Sequence, residues 1–235
     1  NGFDYGNSIL QCPDSGYVIC GSISLAGPGN NVLLTNLDKN GNLVWIKSYG
    51  GTGDDKGSSI TPTSDGGYAV VGYTTNGAGD WDVLLVKTDS NGSLQLNITY
   101  GGSGYEVGRS VSQMPNGDYV VAGGTNSFGN GAGEFYLTRF DQNQIFLWTK
   151  TFGGSSVDDC FSMATLNNDF FVTGLTQSFG PWDIYITKAN SSGQSGCNEF
   201  TPNMSMTLAS VTITTPSVVI SSPPTIINTI SFTVS

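Results

Sequence analysis

The sequence predicts an all-β protein built from four copies of one repeating unit. Glycine makes up 33 of the 235 residues, 11% of the residues are charged and 37% are hydrophobic. That composition is typical of short strands joined by tight turns, whereas a disordered chain has few apolar residues and many like charges. Glycines that recur every 51 residues supply the second observation, and strand-like segments within each unit supply the third.

Three columns of residues share one spacing. The first consists of glycines 51 residues apart that each close a strand-like segment: Gly21, Gly72, Gly123 and Gly174. The second is spaced by 51, 51 and 52 residues: Gly6, Gly57, Gly108 and Cys160. The third places two glycines after an aromatic residue, at Tyr49, Tyr100 and Phe152. Independent columns with a common period indicate a repeat architecture.

Within the second unit, four strands are predicted at residues 58–63, 68–74, 82–88 and 93–100. The two central strands are apolar on both faces, which indicates a sheet with neighbours above and below it. Four-stranded sheets repeated around an axis form a β-propeller. We therefore expect a propeller over residues 1–197, with units at about 2–52, 53–104, 105–155 and 156–197, followed by a separate tail at 198–235.

Two runs of the sequence resemble a known repeat. WIKSYGGTGDDKGSSI at residues 45–60 and TSDGGYAVVG at 63–72 are similar to the repeats of secreted bacterial and archaeal β-propeller proteins. The resemblance covers about residues 2–193 and implies a propeller fold and an extracellular location, but almost nothing about activity. The chain departs from that pattern in its fourth unit, which lacks the fourth strand, so that either the tail supplies this strand or the ring is completed in another way.

Several classes of function conflict with the composition. The chain has no histidine, which excludes Ser-His-Asp and Cys-His nucleophiles and zinc sites with imidazole ligands. A net charge of −10 argues against nucleic acid and anionic membranes as partners. No apolar run approaches the ~20 residues of a membrane span, and no cofactor is expected.

Acidic residues recur in three columns. These are Asp4, Asp55, Glu106 and Asp158; Asn31, Asp82, Glu134 and Asp183; and Asp38, Asp89, Asp141 and Asn190. Carboxylates on neighbouring loops could bind Ca²⁺, but a residue type present in every unit more often caps a turn. No acid is singled out from the others, so we expect no metal site, no catalytic residue and no enzymatic activity.

Aromatic residues in the longer loops are the candidate ligand face. Trp81 and Trp182 occupy matching loops, and Phe128 and Phe179 share a Ser-Phe-Gly motif. Rings beside Asp and Asn can hold sugars, while the alternative interpretation is that these rings pack between sheets.

The cysteines and sequons give further expectations. If the first hairpin has the expected register, Cys12 lies opposite Tyr17 and Cys20 opposite Ile9, so the two cysteines are on opposite faces and unpaired. Cys160 and Cys197 bracket the fourth unit and are the predicted disulfide. Asn-x-Ser/Thr sequons occur at four positions, at the frequency expected by chance: Asn91, Asn97, Asn190 and Asn203.

The tail carries no charge from Phe200 to Ser235 and alternates apolar with polar residues. Such a strand can add to a sheet edge on another molecule, with Ile230, Phe232 and Val234 setting its register. The favoured function is therefore an extracellular structural protein that associates with itself through its tail, and could form filaments. The alternative is a carbohydrate- or ligand-binding module of the adhesin or lectin kind, while a free, glycosylated tail remains a rival to assembly.

Overall fold

The computed structural model describes residues 4–24, 29–75, 81–130 and 132–196, together with the backbone of 199–200. Within these residues there is no helix long and apolar enough to cross a membrane. Sixteen strands are described, and all the named strands pair antiparallel in four sheets. The expectation of an all-β fold is confirmed.

The strands follow one another along the chain, sheet by sheet. Sheet I contains β1 (Tyr5–Gln11), β2 (Tyr17–Ser24), β3 (Asn30–Leu37) and β4 (Leu43–Tyr49). Sheet II contains β5 (Asp55–Pro62), β6 (Tyr68–Thr75), β7 (Trp81–Thr88) and β8 (Leu94–Tyr100). Sheet III contains β9 (Glu106–Gln113), β10 (Tyr119–Thr125), β11 (Glu134–Phe140) and β12 (Phe146–Phe152), and sheet IV contains β13 (Asp158–Leu166), β14 (Asp169–Thr176) and β15 (Asp183–Ala189).

The predicted strands of the second unit agree with β5 to β8 to within three residues at either end. The repeat glycines also have matching surroundings. A Cβ atom on Gly21, Gly72, Gly123 or Gly174 would lie between 1.7 and 2.0 Å from a carbonyl oxygen of the first strand of the same sheet. Only glycine allows this approach, which accounts for the column seen in the sequence.

Three apolar cores join consecutive sheets. The first lies between sheets I and II, the second between II and III, and the third between III and IV. The described residues form no comparable core between sheets IV and I. The structure is therefore a propeller-like succession of four sheets, and a closed four-sheet ring is not among its described features.

Sheet IV has three described strands, in agreement with the missing fourth strand of the sequence. The chain that follows does not complete it at once. Strand β16 (Glu199–Phe200) pairs instead with the outer strand of sheet III, with Thr151 opposite Phe200. The tail from residue 201 onward, including Ile230, Phe232 and Val234, lies outside the described residues.

The first hairpin corrects one step of the cysteine argument. Cys20 pairs with Ser8 and Tyr17 with Gln11, so the register differs by one residue from the expected pairing of Cys20 with Ile9. As a result, Cys12 and Cys20 both contribute to the first core, rather than to opposite faces. Both thiols are free, so the expectation that they are unpaired is confirmed although its reason was wrong.

Candidate functional site: a cleft lined by four bulges

Every sheet carries a β-bulge opposite its repeat glycine, in its first strand. These first strands, β1, β5, β9 and β13, are the inner strands of the four sheets. In sheet I the register shifts between Gly6 and Ser8, which leaves Asn7 unpaired. The same shift occurs in the other three sheets, where the extra residues are Ser58, Arg109 and Phe161. A bulge redirects the side chain of its extra residue, and bulges are common beside functional sites.

The four bulge residues line one cleft of about 450 Å³ between the inner strands. The remaining lining side chains come from sheets I and II: Tyr5, Ser22, Lys56 and Tyr73. All four sheets thus meet at this cleft, and each contributes a side chain from the same position of its repeat. A second and larger cleft is lined mainly by residues of the hairpin turns, with no charged side chain among those described.

The bulge residues break the symmetry of the repeat. One repeat position carries an amide, a hydroxyl, a guanidinium and an aromatic ring, although the residue before it is glycine in three of the four sheets. The position two residues earlier is equally varied: Tyr5, Lys56, Val107 and Asp159. Structural repeats keep what the scaffold needs, so varied residues directly beside the constant glycines of the inner strands indicate a ligand site. Sequence analysis missed these residues, although the contrast between a constant column and a varied neighbour was visible.

Two basic side chains, Lys56 and Arg109, line the cleft of an acidic protein. The Lys56 ammonium lies 5.6 Å from the centre of the Tyr73 ring, and hydrogen bonding to Tyr73 raises the pKa of Lys56. The Arg109 guanidinium lies 3.8 Å from the Asp159 carboxylate. Burial raises the pKa of Asp159, with Arg109 opposing this effect. A carboxyl with a raised pKa beside a cleft is the kind of group that can exchange a proton with a ligand.

Polar groups in the cleft are available for hydrogen bonds. The Ser22 side chain is fully buried in the cleft wall, and its hydroxyl has no hydrogen-bond partner among the described residues. Asn7 donates from its amide to the Gly57 carbonyl oxygen at 2.7 Å, which fixes the orientation of the amide. An unpaired buried hydroxyl costs free energy unless a ligand or water satisfies it.

The first acidic column has a structural role. Asp55, Glu106 and Asp158 are almost fully buried, and each accepts a hydrogen bond from a backbone N–H in the glycine loop before its strand. Glu106 accepts in addition from the Thr125 hydroxyl at 2.7 Å. Asp4 accepts from the backbone of Ser24. These contacts agree with the interpretation of the column as loop caps.

The other two acidic columns are also engaged in local bonds. Asp38, Asp89, Asp141 and Asn190 each accept two backbone hydrogen bonds within their own turn, from the residues two and four positions later. Hydrogen bonds lower the pKa of Asp38, chiefly the one donated by the side-chain amide of Asn42, and they lower that of Asp89, chiefly the one donated by the backbone of Ser93. In the remaining column, buried Glu134 accepts from the backbone of Asn130 at 2.6 Å.

The four predicted ligand-face aromatics are not brought together. Trp81 stacks on Tyr73 at 4.4 Å and meets Tyr105 of the next sheet edge-on at 5.4 Å. Phe179 lies 5.5 Å from Tyr185, and Phe128 lies against the glycine loop at Gly102. Trp182 is 62% exposed. Trp81 and Phe128 therefore follow the alternative interpretation, in which the rings pack between sheets. Trp81 does not line the cleft itself but stacks on Tyr73, which does.

The predicted modification sites fall in different environments. Cys160 is a free thiol buried in the third core. Its predicted partner Cys197 lies outside the described residues, so the disulfide stays a prediction that the described structure does not support. Asn91 and Asn190 lie in exposed turns, Asn97 is half-buried in β8, and Asn203 lies outside the described residues. Glycosylation at these sequons also stays a prediction.

No family model matches the sequence, and no curated protein matches it significantly. Among solved structures, a thermostable family-43 glycoside hydrolase is similar with a TM-score of 0.52 at 8% identity, over 82% of this chain and 70% of that one. An apocarotenoid oxygenase from Synechocystis aligns with a TM-score of 0.45 at 13% identity, over 90% of this chain and 50% of that one.

These likenesses correct one expectation. The prediction that the chain is not an enzyme is contradicted, because the glycoside hydrolase, whose fold is similar to that of this chain, is an enzyme. At 8% identity the likeness to the glycoside hydrolase shows the fold alone, so it assigns no reaction to this chain. The prediction rested on no acid being singled out, whereas Asp159 stands at an inner-strand position where the other units have Tyr5, Lys56 and Val107.

Proposed function

We propose that the central cleft binds a carbohydrate that carries carboxylate groups. The observation that carries the proposal is the convergence of four chemically different bulge residues, one from each sheet, on a single cleft. This assignment keeps the carbohydrate-binding alternative of the sequence analysis but moves the site from the loop aromatics to the inner strands.

Each lining group matches one part of such a ligand. The rings of Phe161 and Tyr5 are about half exposed, and exposed rings can pack on the apolar face of a sugar. Asn7 and the hydroxyl groups of the cleft can bond sugar hydroxyls. Arg109 and Lys56 supply the positive charge for a carboxylate, for which a guanidinium is well suited geometrically.

The test compares an acidic oligosaccharide with its neutral counterpart. We expect trigalacturonate to bind in isothermal titration calorimetry and galactotriose to bind at least tenfold more weakly. Removing a charge-assisted hydrogen bond costs about 1.5–3 kcal/mol, so Arg109→Ala should weaken binding by roughly 10- to 150-fold. Lys39→Ala, at an exposed turn, is the matched control and should leave binding unchanged. Equal affinity for both sugars, or an unaffected Arg109→Ala variant, would contradict the proposal.

The same samples can be assayed for turnover. Release of reducing ends from the bound oligosaccharide would extend the proposal from binding to hydrolysis, and Asp159→Asn would then test whether the carboxyl beside Arg109 takes part. Binding without turnover leaves the proposal in its stated form.

Self-association through the tail in an extracellular setting is the second candidate function. It is supported by the incomplete sheet IV, in which β15 has no outer neighbour among the described strands, and by β16, which already adds to the edge of β12. A chain that ends at Ser210 should lose tail-dependent polymers seen with the full chain. If both chains give the same particle length at every concentration, the tail does not assemble the protein.

A further inference from the structure

Each sheet has a forward face toward the next sheet and a rear face toward the previous one. At the first interface, the forward face of sheet I presents Val18, Cys20, Val32, Leu34 and Tyr49, and the rear face of sheet II presents Ile60, Tyr68, Val70, Leu84 and Val86. In the second and third interfaces the forward face uses the same five repeat positions, and the rear face shares the positions of Tyr68 and Val70. The sequence therefore encodes one type of contact three times.

The forward face of sheet IV lacks this cover. Ile184 and Ile186 are 76% and 66% exposed, whereas the residues at the same repeat positions in sheet II, Val83 and Leu85, are fully buried. Trp182 shows the same difference. It is 62% exposed, while its counterpart Trp81 packs edge-on against a tyrosine of the following sheet.

The rear face of sheet I is also exposed, at positions that are buried in the other sheets. Ile9 is 63% exposed, although its counterparts Ile60 and Val111 are 8% and 6% exposed. Tyr17 is half-buried, and its counterpart Tyr119 is 1% exposed. The two free faces are thus the two halves of the contact that the molecule already makes three times.

We propose that a second copy of this chain covers these faces, with the rear face of its sheet I on the forward face of sheet IV. A second copy is the occupant that the structure supports because it presents the apolar positions that complete the internal contact. Such a contact is heterologous, so it closes into a ring if the rotation allows and otherwise extends into a filament.

A polar contact at the third interface, between sheets III and IV, predicts a matching one between copies. Arg139 on the forward face of sheet III donates to the Ser191 carbonyl oxygen in the last turn of sheet IV at 2.8 Å. Lys188 occupies the position of Arg139 and forms the equivalent ion pair within its own sheet, with Asp169 at 2.6 Å. In the second copy, the carbonyl that corresponds to Ser191 is that of Lys39.

Three exposed isoleucines provide a matched test in the full chain. Ile184→Lys changes the forward face of sheet IV, Ile9→Lys changes the rear face of sheet I, and Ile145→Lys changes a turn residue of sheet III that is 62% exposed. We expect sedimentation velocity to show association that rises with concentration for the unmodified chain and for Ile145→Lys. Each of the two face variants should weaken association at least tenfold, because a lysine cannot be buried in an apolar contact without loss.

Mixing the two face variants tests the head-to-tail geometry. Each variant keeps one intact face, so the mixture should form heterodimers that do not grow further. The proposal would be overturned if the unmodified chain stayed monomeric at all concentrations. Association that neither face variant weakens would overturn it as well, and would assign self-association to the tail.

Discussion

The bulge in each inner strand depends on the glycine opposite it, and sheet I offers a direct test. In Gly21→Ala the new Cβ would lie 1.7 Å from the Tyr5 carbonyl oxygen. Ordinary contact needs about 3.5 Å, so β1 would have to withdraw by about 1.8 Å. That movement breaks the pairing of Tyr5 with Ser22 and of Gly6 with Gly21. Overpacking of about 1–3 kcal/mol and about 1 kcal/mol for a lost hydrogen bond give a destabilisation of about 3 kcal/mol.

Gly6→Ala is the matched control, because a Cβ at that position would meet Ile19 at 3.5 Å, an ordinary contact. Thermal unfolding followed by tryptophan fluorescence should show the melting temperature lowered by roughly 6–12 °C for Gly21→Ala and little change for Gly6→Ala. Binding of trigalacturonate should weaken in Gly21→Ala as well, since the bulge directs Asn7 into the cleft. A Gly21→Ala protein as stable as Gly6→Ala would refute the bulge argument.

Two further predictions concern buried groups. Glu106→Gln should lower the free energy of unfolding by about 2 kcal/mol in urea titrations, because a buried carboxylate that accepts from Gly102 and Thr125 is replaced by an amide with fewer acceptor sites. Asp54 lies in the equivalent loop before sheet II and its side chain is half-buried, so Asp54→Asn should lower the free energy of unfolding by less. Burial raises the pKa of the Cys20 thiol from 9.0 to about 12, so the folded protein holds a proton that the unfolded chain releases between these values. Stability should therefore fall as the pH rises from 9 to 12, and Cys20→Ala should flatten that dependence in unfolding curves recorded at pH 8 and 11; an unchanged slope would argue against the buried thiol as its source.

The repeat and its strands were predictable from the sequence because they depend on local rules. The 51-residue glycine column, the alternation of apolar residues and the Asx turns at Asp38 and Asp89 each leave a mark within a few residues. The capping role of the first acidic column followed from its presence in every unit, and the buried bonds of Glu106 agree with it.

The cleft was not predicted, because a bulge inserts one residue into a strand and changes which side chains point inward. The pairing of Cys20 with Ser8 was also not predicted, because the register of a hairpin depends on its turn as well as on apolar alternation. The packing of Trp81 between Tyr73 and Tyr105 depends on the neighbouring sheet, which local sequence does not specify. Comparison of residues at equal repeat positions was the signal that could have identified Arg109 and Phe161.

The central claim is that bulge residues from four sheets form one binding site, and a crystal structure of the complex with trigalacturonate tests it most directly. We predict that a sugar carboxylate lies within hydrogen-bond distance of the Arg109 guanidinium and that a sugar ring packs on Phe161. A trigalacturonate bound instead at the exposed Trp182, with the central cleft occupied by solvent alone, would contradict the claim.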